Sequence, residues 1–159
     1  VTCVLKCSGQ DWVDKAKSKM NTNGKYRPSN NTQVYIIFDK DNFSTQNIQA
    51  MKTKVEKISE NGIQCQLGIS EKSFEVWLLA HFEQVTPGIM SQKQLYKELT
   101  NKLGNTYKKA DPSQIKGILD GDRVYDAICN SRLITPFKNN GMQSTDIGSI
   151  VNSIIRNDK

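Results

Sequence analysis

At 159 residues the chain has room for one domain with its own core and too little for two. Apolar residues make up 36%, which leaves a modest core beneath a polar surface. A net charge of +6 and an isoelectric point near 9.1 favour an anionic partner, nucleic acid first, although a scattered excess also serves plain solubility.

Val1-Thr2-Cys3-Val4-Leu5-Lys6 reads as a short strand, with Ser8-Gly9 as its turn. From Gln10 to Met20 the apolar residues Trp12, Val13, Ala16 and Met20 recur on one helical face. The polar stretch from Asn21 to Gln33, with Asn23-Gly24, Pro28 and Asn30-Asn31, reads as a loop. Residues 34–38 (Val34, Tyr35, Ile36, Ile37, Phe38) form an unbroken apolar run, the pattern of a parallel strand buried on both faces. Ser44 can cap a helix to about Ser59 with Ile48, Met51, Val55 and Ile58 inward, ended by Gly62. Ile63, Cys65, Leu67 and Ile69 alternate with polar residues, a third strand with one covered face. This β-α-β-α-β order predicts parallel strands joined by right-handed crossovers.

From about Ser73 a helix more apolar than a surface helix is expected, broken by Pro87-Gly88. Ser91 with Gln94 makes a capping box for a helix ending at Gly104. Pro112 starts another, with Ile115, Ile118, Leu119, Val124, Ala127 and Ile128 facing in. Ser144-Thr145-Asp146 starts the last, with Ile147, Ile150, Val151, Ile154 and Ile155 as its stripe. The fold class expected is α/β: a small, mostly parallel sheet flanked by helices in 1–86, then an all-helical part over 87–159.

Cys3, Cys7, Cys65 and Cys129 contain no Cys-x-x-Cys pair and His81 is the single histidine, so the spacing does not suit a zinc site. Three of the four cysteines lie in apolar or strand-like segments. They are expected to be reduced, which implies the cytoplasm. No signal peptide or transmembrane-length run is seen, so no membrane partner is expected.

The run at 34–38 ends in Asp39-Lys40-Asp41. Ligands of α/β sheets bind beyond the carboxyl ends of the strands, and two carboxylates there suit Mg²⁺ or Mn²⁺ at a phosphate. The plainer reading is a helix-entry turn, with Asp41 or Ser44 capping the next helix. Glu75 sits one turn into the apolar helix, where it needs a partner, a metal or water; a first-turn glutamate favoured by the helix dipole is the alternative. Ser70 and Ser73 lie at a strand-to-helix junction able to receive a phosphate, or simply cap it. Lys40 can reach a phosphate or merely offset its acidic neighbours. His81 reads foremost as a hydrogen-bonded core residue, and as an acid or base only second. Lys108, Lys109 and Lys116 near Tyr107 suit backbone contacts or a solvated face.

Two segments in order, FDKDNF at 38–43 and ISEKSFEVWLLAHFE at 69–83, resemble the RloB-like family, associated with restriction loci and abortive-infection phage defence. The second matches the family pattern at Ser70, Phe74, Glu75, Trp77, Leu78, Leu79, His81, Phe82 and Glu83. STDIGSIV at 144–151 resembles its late Asn-Pro-Ser-Thr stretch, followed by a Val/Leu-rich helix. The resemblance implies one TOPRIM-like domain over 1–159 and a nuclease dependent on Mg²⁺ or Mn²⁺. It gives Asp39 and Asp41 as the Asp-x-Asp metal ligands; the nuclease reading of the residues adds Glu75 as a third catalytic residue and Lys40, Ser70 and Lys72 as nucleic-acid contacts. DNA and RNA both remain open as substrate.

Two departures stand out. Glu71-Lys72 replaces the family's Asn-Pro, and the family's first strand, with its metal-binding glutamate, is expected upstream of Val1. The chain is therefore expected to be either a fragment or a protein with an incomplete metal site. The second hypothesis follows from that: a degenerate, non-catalytic module that binds nucleic acid or works with a partner ATPase.

Overall fold

The computed structural model describes residue 5 and residues 11–29, 32–59 and 62–157. The first expected strand, its Ser8-Gly9 turn, Cys3, Cys7 and the Asn30-Asn31 pair lie outside these. The described chain is mixed α/β, with a two-stranded parallel sheet and seven α-helices. It divides into two compact units. One comprises described residues up to Phe38 together with Asn42–Gly68; the other comprises Asp39–Asp41 and the chain from Ile69 onward.

The first unit is built from amphipathic pieces. Helix α1, Trp12–Thr22, starts at Asp11, whose carboxylate accepts from the N–H groups of Val13 (2.9 Å) and Asp14 (3.3 Å). It buries Val13, Ala16 and Met20. The expected loop that follows contains a 3₁₀ turn at Gly24–Tyr26. Helix α2, Thr45–Ser59, is entered at Ser44, whose hydroxyl accepts from Asn47 N–H at 3.1 Å. It buries Ile48, Met51, Val55 and Ile58, the four positions its periodicity predicts. Gly62, at φ +78°, closes the exit.

Strands β1, Gln33–Asp39, and β2, Gln64–Ser70, run parallel with α2 between them. Their register is marked by Gln64 N–H to Thr32 O (3.2 Å) and Lys40 N–H to Ser70 O (2.9 Å). Two expectations need correction. β1 is not buried on both faces: Ile36 and Phe38 are buried while Ile37 is 51% exposed. Among the described residues the sheet has only two strands, and the side chains of β1 divide by the ordinary strand alternation. β2 departs the other way, with Leu67 to Ser70 all buried; its end is covered where Ser70 bridges Thr145 and Ile69 N–H is held by Asp146.

In the second unit, α3 (Glu75–Ala80) is six residues long and wholly buried, shorter than the helix expected from Ser73. It packs on α4 (Gln92–Leu103) and α6 (Arg123–Asn130), and α6 packs on α5 (Pro112–Leu119) and α7 (Ile147–Asn157). The Ser91–Gln94 capping box and the left-handed Gly104 bound α4 as the sequence predicts. The single helix expected from Pro112 is instead two, interrupted at Asp120–Asp122 where Gly121 takes φ +71°. That break turns Leu119 outward, to 45% exposure, against the inward position expected of it. Ile154 of the α7 stripe is likewise exposed, on the last turns of the helix.

Ser144-Thr145-Asp146 precedes α7 and also pairs with the end of β2. Ser70 and Thr145 form an antiparallel bridge, and Glu71 N–H donates to Ser144 O at 2.9 Å. The Asp146 carboxylate accepts from Ile69 N–H (3.1 Å) and Phe137 N–H (3.0 Å). A polar tripeptide thus supplies edge pairing that no named strand provides.

Candidate functional site

The end of β1 delivers Asp39, Lys40 and Asp41 to the second unit. Pairing continues through Lys40, whose N–H is held by Ser70 O, and the chain then turns at Asp41, which adopts a left-handed φ of +45°. Asp is among the few side chains that tolerate this region. Asp41 is exposed, whereas Asp39 is partly buried.

Burial is the main reason the Asp39 carboxyl is pushed up to about 6; the negative charges of Glu75 and Asp41 push the same way. Lys109 and the backbone N–H of Phe74 oppose them. The charges of Asp39, Asp41 and Glu75 thus fall within one electrostatic neighbourhood.

Glu75 is held rigidly. It is 3% exposed, one oxygen accepts from the Ser73 hydroxyl, and the other accepts from the Tyr107 hydroxyl at 3.1 Å. Tyr107 is itself buried, and its ring meets Tyr96 edge to face at 5.1 Å. Burial and the adjacent Glu75 charge hold the Tyr107 hydroxyl well above its usual range, so it stays a proton donor to the carboxylate. The Ser73 hydroxyl thus serves Glu75, donating to its carboxylate and accepting from its N–H at 3.3 Å.

Of the expected nucleic-acid contacts, Lys40 and Ser70 sit side by side, Lys40 N–H donating to Ser70 O at 2.9 Å, and both side chains are engaged within the protein. Lys40 Nζ lies 2.6 Å from Glu71 Oε1 in a largely buried ion pair, with side chains 17% and 3% exposed. Glu71 Oε2 is buried and receives no hydrogen bond among the described residues. The Ser70 hydroxyl is buried against Thr145 Oγ1 at 2.9 Å, while Lys72 is exposed. His81 is a core residue. Its Nδ1–H donates to Trp77 O at 2.9 Å, its ring packs edge-on to Trp77, and burial lowers its pKa, keeping it neutral.

Sequence reasoning passed over two residues of this neighbourhood. Glu71 drew notice only as a departure from a motif; its signal was a carboxylate one position beyond a strand, beside a strand bearing Lys40. Tyr107 drew notice only as a neighbour of lysines, though a lone aromatic in the polar stretch Gly104–Pro112 is the usual mark of an anchor.

The Asp39 carboxyl, raised by burial and by the charges of Glu75 and Asp41, offers a hard oxygen donor, and Mg²⁺ or Mn²⁺ needs only one or two carboxylates besides water and phosphate. Among the described residues, no group of three or more His, Cys, Asp or Glu side chains is arranged to hold a metal ion. No helix of the described residues is long and apolar enough to cross a membrane. Cys65 and Cys129 are free thiols.

No curated protein and no solved structure matches the chain. A family model described as RloB-like protein matches residues 6–154. The chain belongs to the RloB-like family.

Proposed function

For this member of the RloB-like family, we propose a metal-dependent nucleic-acid phosphodiesterase of TOPRIM type acting in anti-phage defence. The observation that carries the reading is Asp39: a partly buried carboxyl at a strand end, raised to about 6 by burial and by Glu75 and Asp41. A dication relieves that repulsion. Asp39 and Asp41 would hold Mg²⁺ or Mn²⁺, which supplies Lewis acidity toward a phosphodiester when bound. Glu75, fixed by Ser73 and Tyr107, would orient an attacking water or accept its proton. The partner of this site is DNA or RNA.

Titration of Mn²⁺ into the chain should give saturable binding that Asp39→Ala abolishes. Cleavage of DNA or RNA in Mg²⁺ or Mn²⁺ should disappear in Asp39→Ala and Asp41→Ala while circular dichroism stays unchanged. Normal cleavage by either variant overturns the assignment.

A second reading is favoured by the absence, among the described residues, of a three-donor metal cluster. It is a non-catalytic module that binds nucleic acid or a partner ATPase. Nucleic-acid binding without cleavage in any divalent ion would select it.

A further inference from the structure

The segment between α4 and α5 is tied down more firmly than its polar composition suggests. Gln114 reaches back to hold it at three points: its amide nitrogen donates to Asn105 Oδ1 (2.9 Å) and Thr106 O (2.8 Å), and its oxygen accepts from Lys108 N–H (2.8 Å). Tyr107 N–H donates to the Thr100 hydroxyl at 2.9 Å, and Asp111 N–H to Lys108 O at 3.2 Å. Ala110 takes φ +60°, a strained choice for a residue with a Cβ. Such a loop is fixed before anything binds to it.

It turns one aromatic inward and its lysines outward. Tyr107 is 6% exposed and bonded to Glu75, while Lys108 and Lys109 are exposed. Lys109 lies two residues beyond that anchor, and its charge acts on Asp39. A phosphodiester approaching Asp39, Asp41 and Glu75 meets like charge and requires a fixed cation nearby. Lys40 is committed to Glu71, so it does not supply one. A lysine on a pre-ordered loop does so with little further loss of conformational freedom.

We propose that Lys109 contacts a backbone phosphate of nucleic acid bound beside Asp39, and that Tyr107 is the positioning residue that ties its loop to Glu75. The proposal rests on the nucleic-acid reading above and adds a residue to that site.

The test is binding of a short duplex DNA and of a short single-stranded RNA to the full chain, followed by fluorescence anisotropy across a salt series, with Ca²⁺ present to keep the probes intact. Lys109→Gln should make the slope of log K against log salt shallower by about 0.9 on the duplex or about 0.7 on the single strand, one phosphate contact's worth. Lys109→Arg should restore it. Tyr107→Phe should weaken binding several-fold at an unchanged slope, because it removes an anchor and no charge. Lys102→Gln, whose lysine is already paired with Glu83, should leave both quantities alone. The probe that binds tells DNA from RNA. A wild-type slope in Lys109→Gln overturns the proposal and leaves the nucleic-acid reading standing. No binding of either probe by the unaltered chain overturns both.

Discussion

The two units bury different chemistry. Ser70, Glu71, Ser73, Glu75, His81, Ser131, Gln143, Ser144 and Thr145 are the buried polar residues among those described, and every one belongs to the second unit. The first unit buries apolar side chains and keeps its ions outside: Lys54 bridges Asp11 at 2.9 Å and also Asp14 on a solvated surface. A buried polar group costs several kcal/mol unless it is hydrogen-bonded, on the order of 1–3 in mutational data. The second unit meets much of that demand with specific pairings: Ser70 with Thr145, Lys40 with Glu71, and Glu75 with Ser73 and Tyr107. Its interior is therefore specified by partner geometry as much as by apolar volume.

The largest expected break in this comparison is Lys40→Ala. It strands the buried Glu71 carboxylate and should destabilise by about 3–5 kcal/mol in urea unfolding, whereas Lys40→Met with Glu71→Leu should recover most of the loss. The same truncation of Lys54, whose side chain is 40% exposed, should barely move the unfolding midpoint. Equal effects of the two single changes would erase the distinction between the units.

Next in size is Gly148 on α7. A Cβ there would overlap the Ser131 hydroxyl and stand 3.3 Å from Trp77 Cζ3, so Gly148→Ala should cost about 1–3 kcal/mol. Gly117 on α5 has open space around it, and Gly117→Ala should gain about 0.5–1 kcal/mol, as an exposed helical glycine normally does. Paired thermal melts read the opposite signs.

The smallest effect sharpens the comparison through pH. Asp39 titrates at about 6 in the folded chain against 3.8 for an ordinary aspartate, so the folded state holds the proton more tightly. The stability linked to that proton is fully present below 3.8 and lost as pH rises through about 6. Asp39→Asn, which cannot ionise, should consequently be the more stable protein near neutral pH, by about 1–2 kcal/mol after allowance for partial exposure. The advantage should vanish in acid. Urea unfolding of both proteins at the two pH values would show it, and an advantage that persists below 3.8 would rule the electrostatic origin out.

What the sequence by itself determined was whatever depends on local spacing. α1, α2 and the capping box of α4 follow from apolar periodicity and side-chain caps, and α2 buries the four residues its pattern names. The strand end at Asp39-Lys40-Asp41 was equally legible, because a β-branched run stopping at carboxylates is a local signal. Partners distant along the chain were not. Glu75 is fixed by Tyr107, Lys40 is engaged by Glu71, and Thr145 takes the edge of β2, across separations of 32, 31 and 75 residues. The break at Gly121 is masked for a different reason: the apolar period continues through Asp120-Gly121-Asp122, although Asp-Gly is itself a turn signal and Gly121 takes the left-handed φ there. Periodicity reports which face of an element is apolar. Which distant polar group meets a carboxylate on that face is decided when the tertiary structure excludes water, since only then does leaving it unpaired become costly.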